Sequence, residues 1–300
     1  MELSLLMKLR IAVSIAIGVA LIGILTWPLA QPPEPFGAVL SSNISLGGKI
    51  GLAALALVTG FIAYFLSWPY GREIGILAVP AGLAAWAARS GNMATLMQLN
   101  PTLDQRQILL ASLKWEPLFW LAIIAVGFAG VLLAQKTYSR PKPKETQPES
   151  TSAKNTYLNA AVGLLAAGLI AQFCITIFAQ DVRILDSSRL GSIATQPAVG
   201  QIIFALLVAF GIAAFLVKKF LNLSYIWPTI ASALVTPFVT TTYVRQDILQ
   251  YLVQNCPAPF FSNAVTSILP VQMVALGTLG SIAGYWMAVR YNYWRENENK

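Results

Sequence analysis

Histidine is absent from the 300 residues, and cysteine occurs only twice, at Cys174 and Cys256. Without imidazole there is no histidine-ligated haem and none of the usual zinc sites. The commonest general base is missing as well. The two cysteines form no CxxC pair and read as one small buried apolar residue and one loop residue. Charge is equally scarce: Asp, Glu, Lys and Arg make up 11% of the chain, where soluble domains hold about 25%. HExxH, GxSxG and Walker-type phosphate loops are also lacking. No catalytic residue, metal ligand or cofactor follows from these letters, and an enzyme is not expected.

What the chain does contain is apolar sequence. Hydrophobic residues make up 56%, and the mean hydropathy is +0.65. Eight apolar runs stand out, near 11–29, 50–66, 74–88, 117–134, 157–179, 198–217, 225–243 and 268–289. Most approach the roughly 20 residues needed to cross a bilayer core as helix. Helix is the conformation such runs must take, because lipid offers no partner to a free backbone amide. The expected fold is therefore an all-α, multi-pass transmembrane bundle of about eight helices. The first run follows Lys8 and Arg10 and could be a signal peptide, but Pro28 spoils the cleavage site at PLA, so a retained helix is expected.

The basic excess, a net charge of +8, lacks the stripe or recognition module that nucleic acid demands. It fits the loop bias of membrane proteins. With the N-terminus inside, Lys8, Arg10, Arg72, Lys136, Arg140, Lys142, Lys144, Lys154, Lys218, Lys219, Arg290, Arg295 and Lys300 fall on the inner side. Lys49, Arg89, Arg106, Lys114, Arg183, Arg189 and Arg245 fall on the outer side. The inner excess predicts cytoplasmic termini. Short inner loops and no need for glycosylation point to a bacterial cytoplasmic membrane.

Residues 135–156 break the pattern. QKTYSRPKPKETQPESTSAKN is rich in proline and charge, the composition of a solvated cytoplasmic linker. It separates a first four-helix repeat (1–134) from a second (157–300). The halves also align weakly with one another. Arg89 pairs with Arg245, Leu96 with Leu252, Gln98 with Gln254 and Pro101 with Pro257. An even number of crossings per half makes the repeats parallel, with a pseudo-twofold axis along the membrane normal. Gly127, Gly163, Gly277, Gly280 and Gly284 are read as packing positions where helix backbones approach closely.

Ionisable groups inside a membrane flag function, and here they are rare. Glu116 beside Pro117 suits the positive end of a helix dipole. The remaining irregularity is a pair of broken helices. ILAVPAGLAAWAARSGN carries Pro80 and ends near Arg89; TIASALVTPFVTTTYVRQD carries Pro237 and reaches Arg245. Proline kinks a helix and frees a carbonyl, and matched interruptions in two repeats point to a binding site in transporters. Pro80, Arg89, Pro237 and Arg245 are thus the candidate substrate-binding residues, although proline kinks and snorkelling arginines also occur without function.

Three functional readings follow, in descending order of support. The first is a non-catalytic scaffold or accessory subunit that meets other membrane subunits through the long outer loops 89–116 and 244–267. The second is a permease or channel for a neutral or anionic small solute, with its site between runs three and seven. The third is a membrane enzyme. LMQLNPTLDQRQILLASLKW in the first loop has the spacing of a surface helix. CPAPFFSNA in the second reads as an exposed aromatic pair, and QDVRILDSSR as a solvated turn.

Overall fold

The computed structural model describes residues 4–34, 37–138, 153–181, 183–184 and 193–298. Within the proposed linker, α-helix covers both edges, and residues 139–152 lie outside the described set. Helix α1 (Leu5–Gly18) continues through a π-helical stretch, Val19–Leu25, into the short α2 (Trp27–Ala30). Helix α3 (Leu46–Leu66) follows. Then α4 (Gly71–Ile74), a 3-10 turn (Gly75–Leu77) and α5 (Ala78–Arg89) form one interrupted rod. The short α6 (Met93–Leu99) and α7 (Leu103–Leu113) lead into α8 (Glu116–Tyr138). The second half holds α9 (Ala153–Phe178), α10 (Val199–Leu221), α11 (Ile226–Tyr243), α12 (Gln246–Asn255) and α13 (Pro270–Glu298).

Local chemistry sets these boundaries. The Ser45 hydroxyl accepts from the Gly48 amide and starts α3. Asn92 caps α6, and Thr102 with Gln105 forms a capping box on α7, satisfying amides the helix itself cannot. Asn222, in the left-handed region at φ 51°, ends α10. Pro80 offers no amide to the turn before it, and that turn is the 3-10 segment Gly75–Leu77.

Five helices are long and apolar enough to cross a membrane: Leu5–Leu25, Leu46–Leu66, Leu103–Tyr138, Tyr157–Phe178 and Val199–Leu221. The rod Gly71–Arg89 joins them only together with Met93–Leu99, at a bend of 52°. Helices α11 and α13 fall outside the five. In α13 the reason is its position. Every residue from Pro270 to Thr278 is buried, so the helix faces other helices and can carry small and hydroxylated residues instead of a greasy coat. Its Thr278 and Ser281 hydroxyls donate to the carbonyls one turn back, each at 2.7 Å.

The broadest helix pairings are α3 with α8 and α10 with α13. Helix α13 also packs on α5, α11 and α8, and α5 packs on α1 and the π-helical stretch. Two fully buried tryptophans, Trp86 and Trp120, anchor the core of the first half. Trp86 Nε1 donates to the Gly23 carbonyl at 3.1 Å, and the Thr26 hydroxyl donates to Ile22 at 2.6 Å. Both acceptors lie in the widened π turn. A Trp86→Phe variant is expected to lose about 1.5 kcal/mol, because the buried carbonyl keeps no such donor. Thermal unfolding in detergent checks this, with the exposed Trp115→Phe as the unaffected control.

The fold is all-helical in class, and a small antiparallel sheet of β1 (Arg183–Ile184), β2 (Ile193–Thr195) and β3 (Phe260–Phe261) joins it, in which Ile184 pairs with Ile193 and Ala194 with Phe261. Two loop expectations need correction. QDVRILDSSR therefore enters a strand at Arg183–Ile184, while Asp186 and Arg189 lie outside the described residues. Nor is the aromatic pair exposed. Phe261 is 5% accessible, since strand alternation turns one of two adjacent side chains inward.

Candidate functional site

Side chains from distant parts of the chain tie several of the segments between the long helices together. Ser41 donates its amide and its hydroxyl to the two carboxylate oxygens of Glu116, the hydroxyl at 2.6 Å. Glu116 is 8% exposed and begins α8, so its charge also meets the helix dipole. The Val39 amide donates to Ser90 Oγ at 3.0 Å. Gln196 joins the halves: its side chain accepts from the Ala94 amide at 3.0 Å and donates to the Ser267 carbonyl at 3.1 Å. Gln272, buried at the start of α13, donates to the Ala87 carbonyl at 3.3 Å.

Arg106 is the unusual group in this assembly. It is 7% exposed, yet its guanidinium meets carbonyls rather than a carboxylate. Nε donates to Asn100 at 3.1 Å and a terminal nitrogen donates to Met97 at 3.5 Å. These carbonyls close the C-terminal end of α6, the negative end of its dipole.

Above Arg106 lies a cleft of about 420 Å³ between α7 and the α11–α12 corner. Gln107, Lys114, Thr240, Thr241, Arg245 and Gln246 supply its polar wall; Leu110, Ala111, Val244 and Leu249 supply its apolar floor. Among the described residues no carboxylate lines it, and its two charged lining residues, Lys114 and Arg245, are both cationic, one from each half. A smaller apolar cavity beneath it shares Leu110, Val244 and Leu249 and includes Arg106, Phe260 and Phe261.

The four candidate residues are distributed unevenly around this cleft. Arg245 lines it. Pro237 sits half-buried one helical stretch earlier in α11, and its carbonyl accepts from the Thr241 hydroxyl at 2.7 Å. Pro80 is buried in α5. The Arg89 guanidinium lies 4.5 Å from the centre of the Trp27 ring, which meets Trp86 edge-on, as Trp86 meets Trp120. The cleft draws no residue from α5. Lys114, the partner of Arg245, reads in sequence as an ordinary interfacial cation. The Thr102–Gln105 capping box is the signal that could have found it: a helix starting there puts Gln107, Ala111 and Lys114 on one face.

The packing glycines lie at close backbone approaches. A Cβ on Gly280 would stand 2.6 Å from the Leu207 carbonyl oxygen, and one on Gly284 would overlap that of Gly211. Gly127 and Gly277 lie against Val79 and Ser232, and Gly163 against Leu223. Cys174 is buried, and neither cysteine is in a disulfide.

Five apolar helices, with Leu165, Leu169, Phe173 and Ile177 exposed along one face of α9 opposite buried Ala167, Ala171 and Ile175, are those of a multi-pass helical membrane protein. A soluble helix would place its large aliphatics on the other face. Comparison of the chain with protein-family models, with curated proteins and with solved structures returns no match.

Proposed function

We propose that this protein is a non-catalytic scaffold or accessory subunit of a membrane complex, built from two parallel four-helix repeats. The braced segments between the long helices carry the reading: Gln196 ties α6 to the segment before α13, Arg106 ties α7 to the end of α6, and Gln272 ties α13 to α5. Mere connectors need no such bracing.

Support for the repeat comes from matching pairings. The second and fourth long helices of each half pack most broadly, as α3–α8 and α10–α13. Each pair closes on glycine, with Gly130 against Leu57 and Gly284 against Gly211. Across the halves, α13 meets α5 and α11 meets α8. On this reading Arg72, Lys136, Lys218 and Lys219 mark a cytoplasmic face carrying both termini in a bacterial inner membrane, and the braced segments are external.

The test uses equivalent exposed positions, Gln98 and Gln254, each replaced in turn by a photo-crosslinking residue in native membranes. Both are expected to trap the same stoichiometric membrane protein, identified by mass spectrometry. Absence of any specific adduct at either position overturns the scaffold reading. The permease reading draws on one observation, the cationic cleft at Arg245. Solute uptake that falls on Lys114→Ala with Arg245→Ala would favour it.

A further inference from the structure

We infer that the cleft between α7 and the α11–α12 corner is a binding site for the phosphate group of an anionic phospholipid. The inference is independent of which protein partner, if any, the surface meets.

Charge comes first. Lys114 and Arg245 line one cleft with no carboxylate among its described lining residues, and two cations at one cleft attract an anion. Arg245 is the N-cap of the ten-residue α12, whose first turn holds Gln246 and the Asp247 carboxylate. Thr240 stands at the rim, while the Thr241 hydroxyl is already donated to the Pro237 carbonyl. A cavity of about 420 Å³ leaves room for a headgroup beyond a bare phosphate.

The second observation selects lipid over a soluble anion. Ile108 and Ala111 on α7 and Trp115 in the turn after it are spaced at three and four residues, and all three are exposed, Ile108 at 72% and Trp115 at 64%. They form an apolar strip directly beside the Gln107–Ala111–Lys114 face that lines the cleft. Ala111 belongs to both. The Lys114 ammonium lies 5.9 Å from the Trp115 ring centre, an interfacial pairing of cation and indole. α7 runs into α8 within one apolar segment, Leu103–Tyr138, which places the strip where a helix leaves the bilayer. A soluble anion needs no apolar strip beside its site; a lipid has acyl chains to lay there.

The experiment is native mass spectrometry of the full chain in detergent, titrated with phosphatidylglycerol or phosphatidylcholine and competed with inorganic phosphate. Wild type is expected to retain one phosphatidylglycerol in preference to phosphatidylcholine. Lys114→Gln with Arg245→Gln is expected to weaken that retention at least tenfold, about the value of one charge-assisted contact. The charge-keeping pair Lys114→Arg with Arg245→Lys is expected to retain it. Ile108→Ser with Trp115→Ser should lower lipid retention while phosphate still competes for what remains. Thermal unfolding confirms that each variant is folded. Equal retention by wild type and the Gln pair, or equal retention of both lipids, overturns the site. Tight phosphate binding with no lipid preference assigns the cleft to a soluble anion and overturns the lipid.

Discussion

A Gly284→Val variant is expected to melt about 10 °C below wild type in detergent. A Cβ at Gly284 would overlap the carbonyl of Gly211 on α10, and that obstacle is backbone, not a side chain that can rotate away. Relief requires separating α10 from α13, the most broadly packed helix pair in the molecule. Overpacking of this kind costs about 3 kcal/mol, which for a domain of this class corresponds to roughly the stated shift. The separation also travels, since α13 packs on α5 and α8 of the first half. Gly168→Val is the control: nothing lies within 4 Å of a Cβ there, so the same substitution on α9 is expected to leave the melting temperature within about 1 °C. Similar losses in both variants would mean that helix propensity, not close approach, sets the cost.

What could be read from the letters alone follows from how far each signal reaches. Apolar runs are local: the run at 50–66 lies inside α3, and the run at 198–217 lies inside α10 from its second residue onward. The hydropathy signal is weaker where a helix is surrounded by other helices. α13 carries Gln272, Thr278 and Ser281 because its neighbours are protein, and a composition rule built on lipid-facing helices undervalues it. Arg245 stood out because a proline-broken helix ends beside it. Lys114 did not, because its partner lies 131 positions away in sequence (Lys114 to Arg245), and only folding brings them to one cleft. The burial of Phe261 likewise depends on β2, a strand too short to announce itself. In the sequence Arg106 reads as an outer-loop cation. Nothing local distinguishes a solvated arginine from one that closes the end of a neighbouring helix.

That arginine gives the second large effect. Arg106→Ala is expected to leave the global fold intact while raising amide hydrogen exchange across residues 93–113 by about 30-fold. The guanidinium is the donor that meets the Asn100 and Met97 carbonyls. Without it these groups lose a charged donor in a recess that admits little water, at about 2 kcal/mol. The loss is local because Asn100 keeps its own bond to Leu96, at 2.9 Å, and the long helices do not depend on this corner. Arg106→Met separates charge from packing. It keeps an apolar stem against Leu110 but supplies no donor, so it is expected to behave like alanine in exchange while melting closer to wild type. If the methionine variant exchanges like wild type, the guanidinium bonds hold nothing and the stem alone matters. The corner also carries Lys114, about two helical turns beyond Arg106, with Leu110 shared between the two cavities. A loosened α6–α7 corner therefore lets Lys114 drift from Arg245. Arg106→Ala is then expected to weaken phosphatidylglycerol retention less than direct removal of either cation, and the charge-keeping pair should not rescue it.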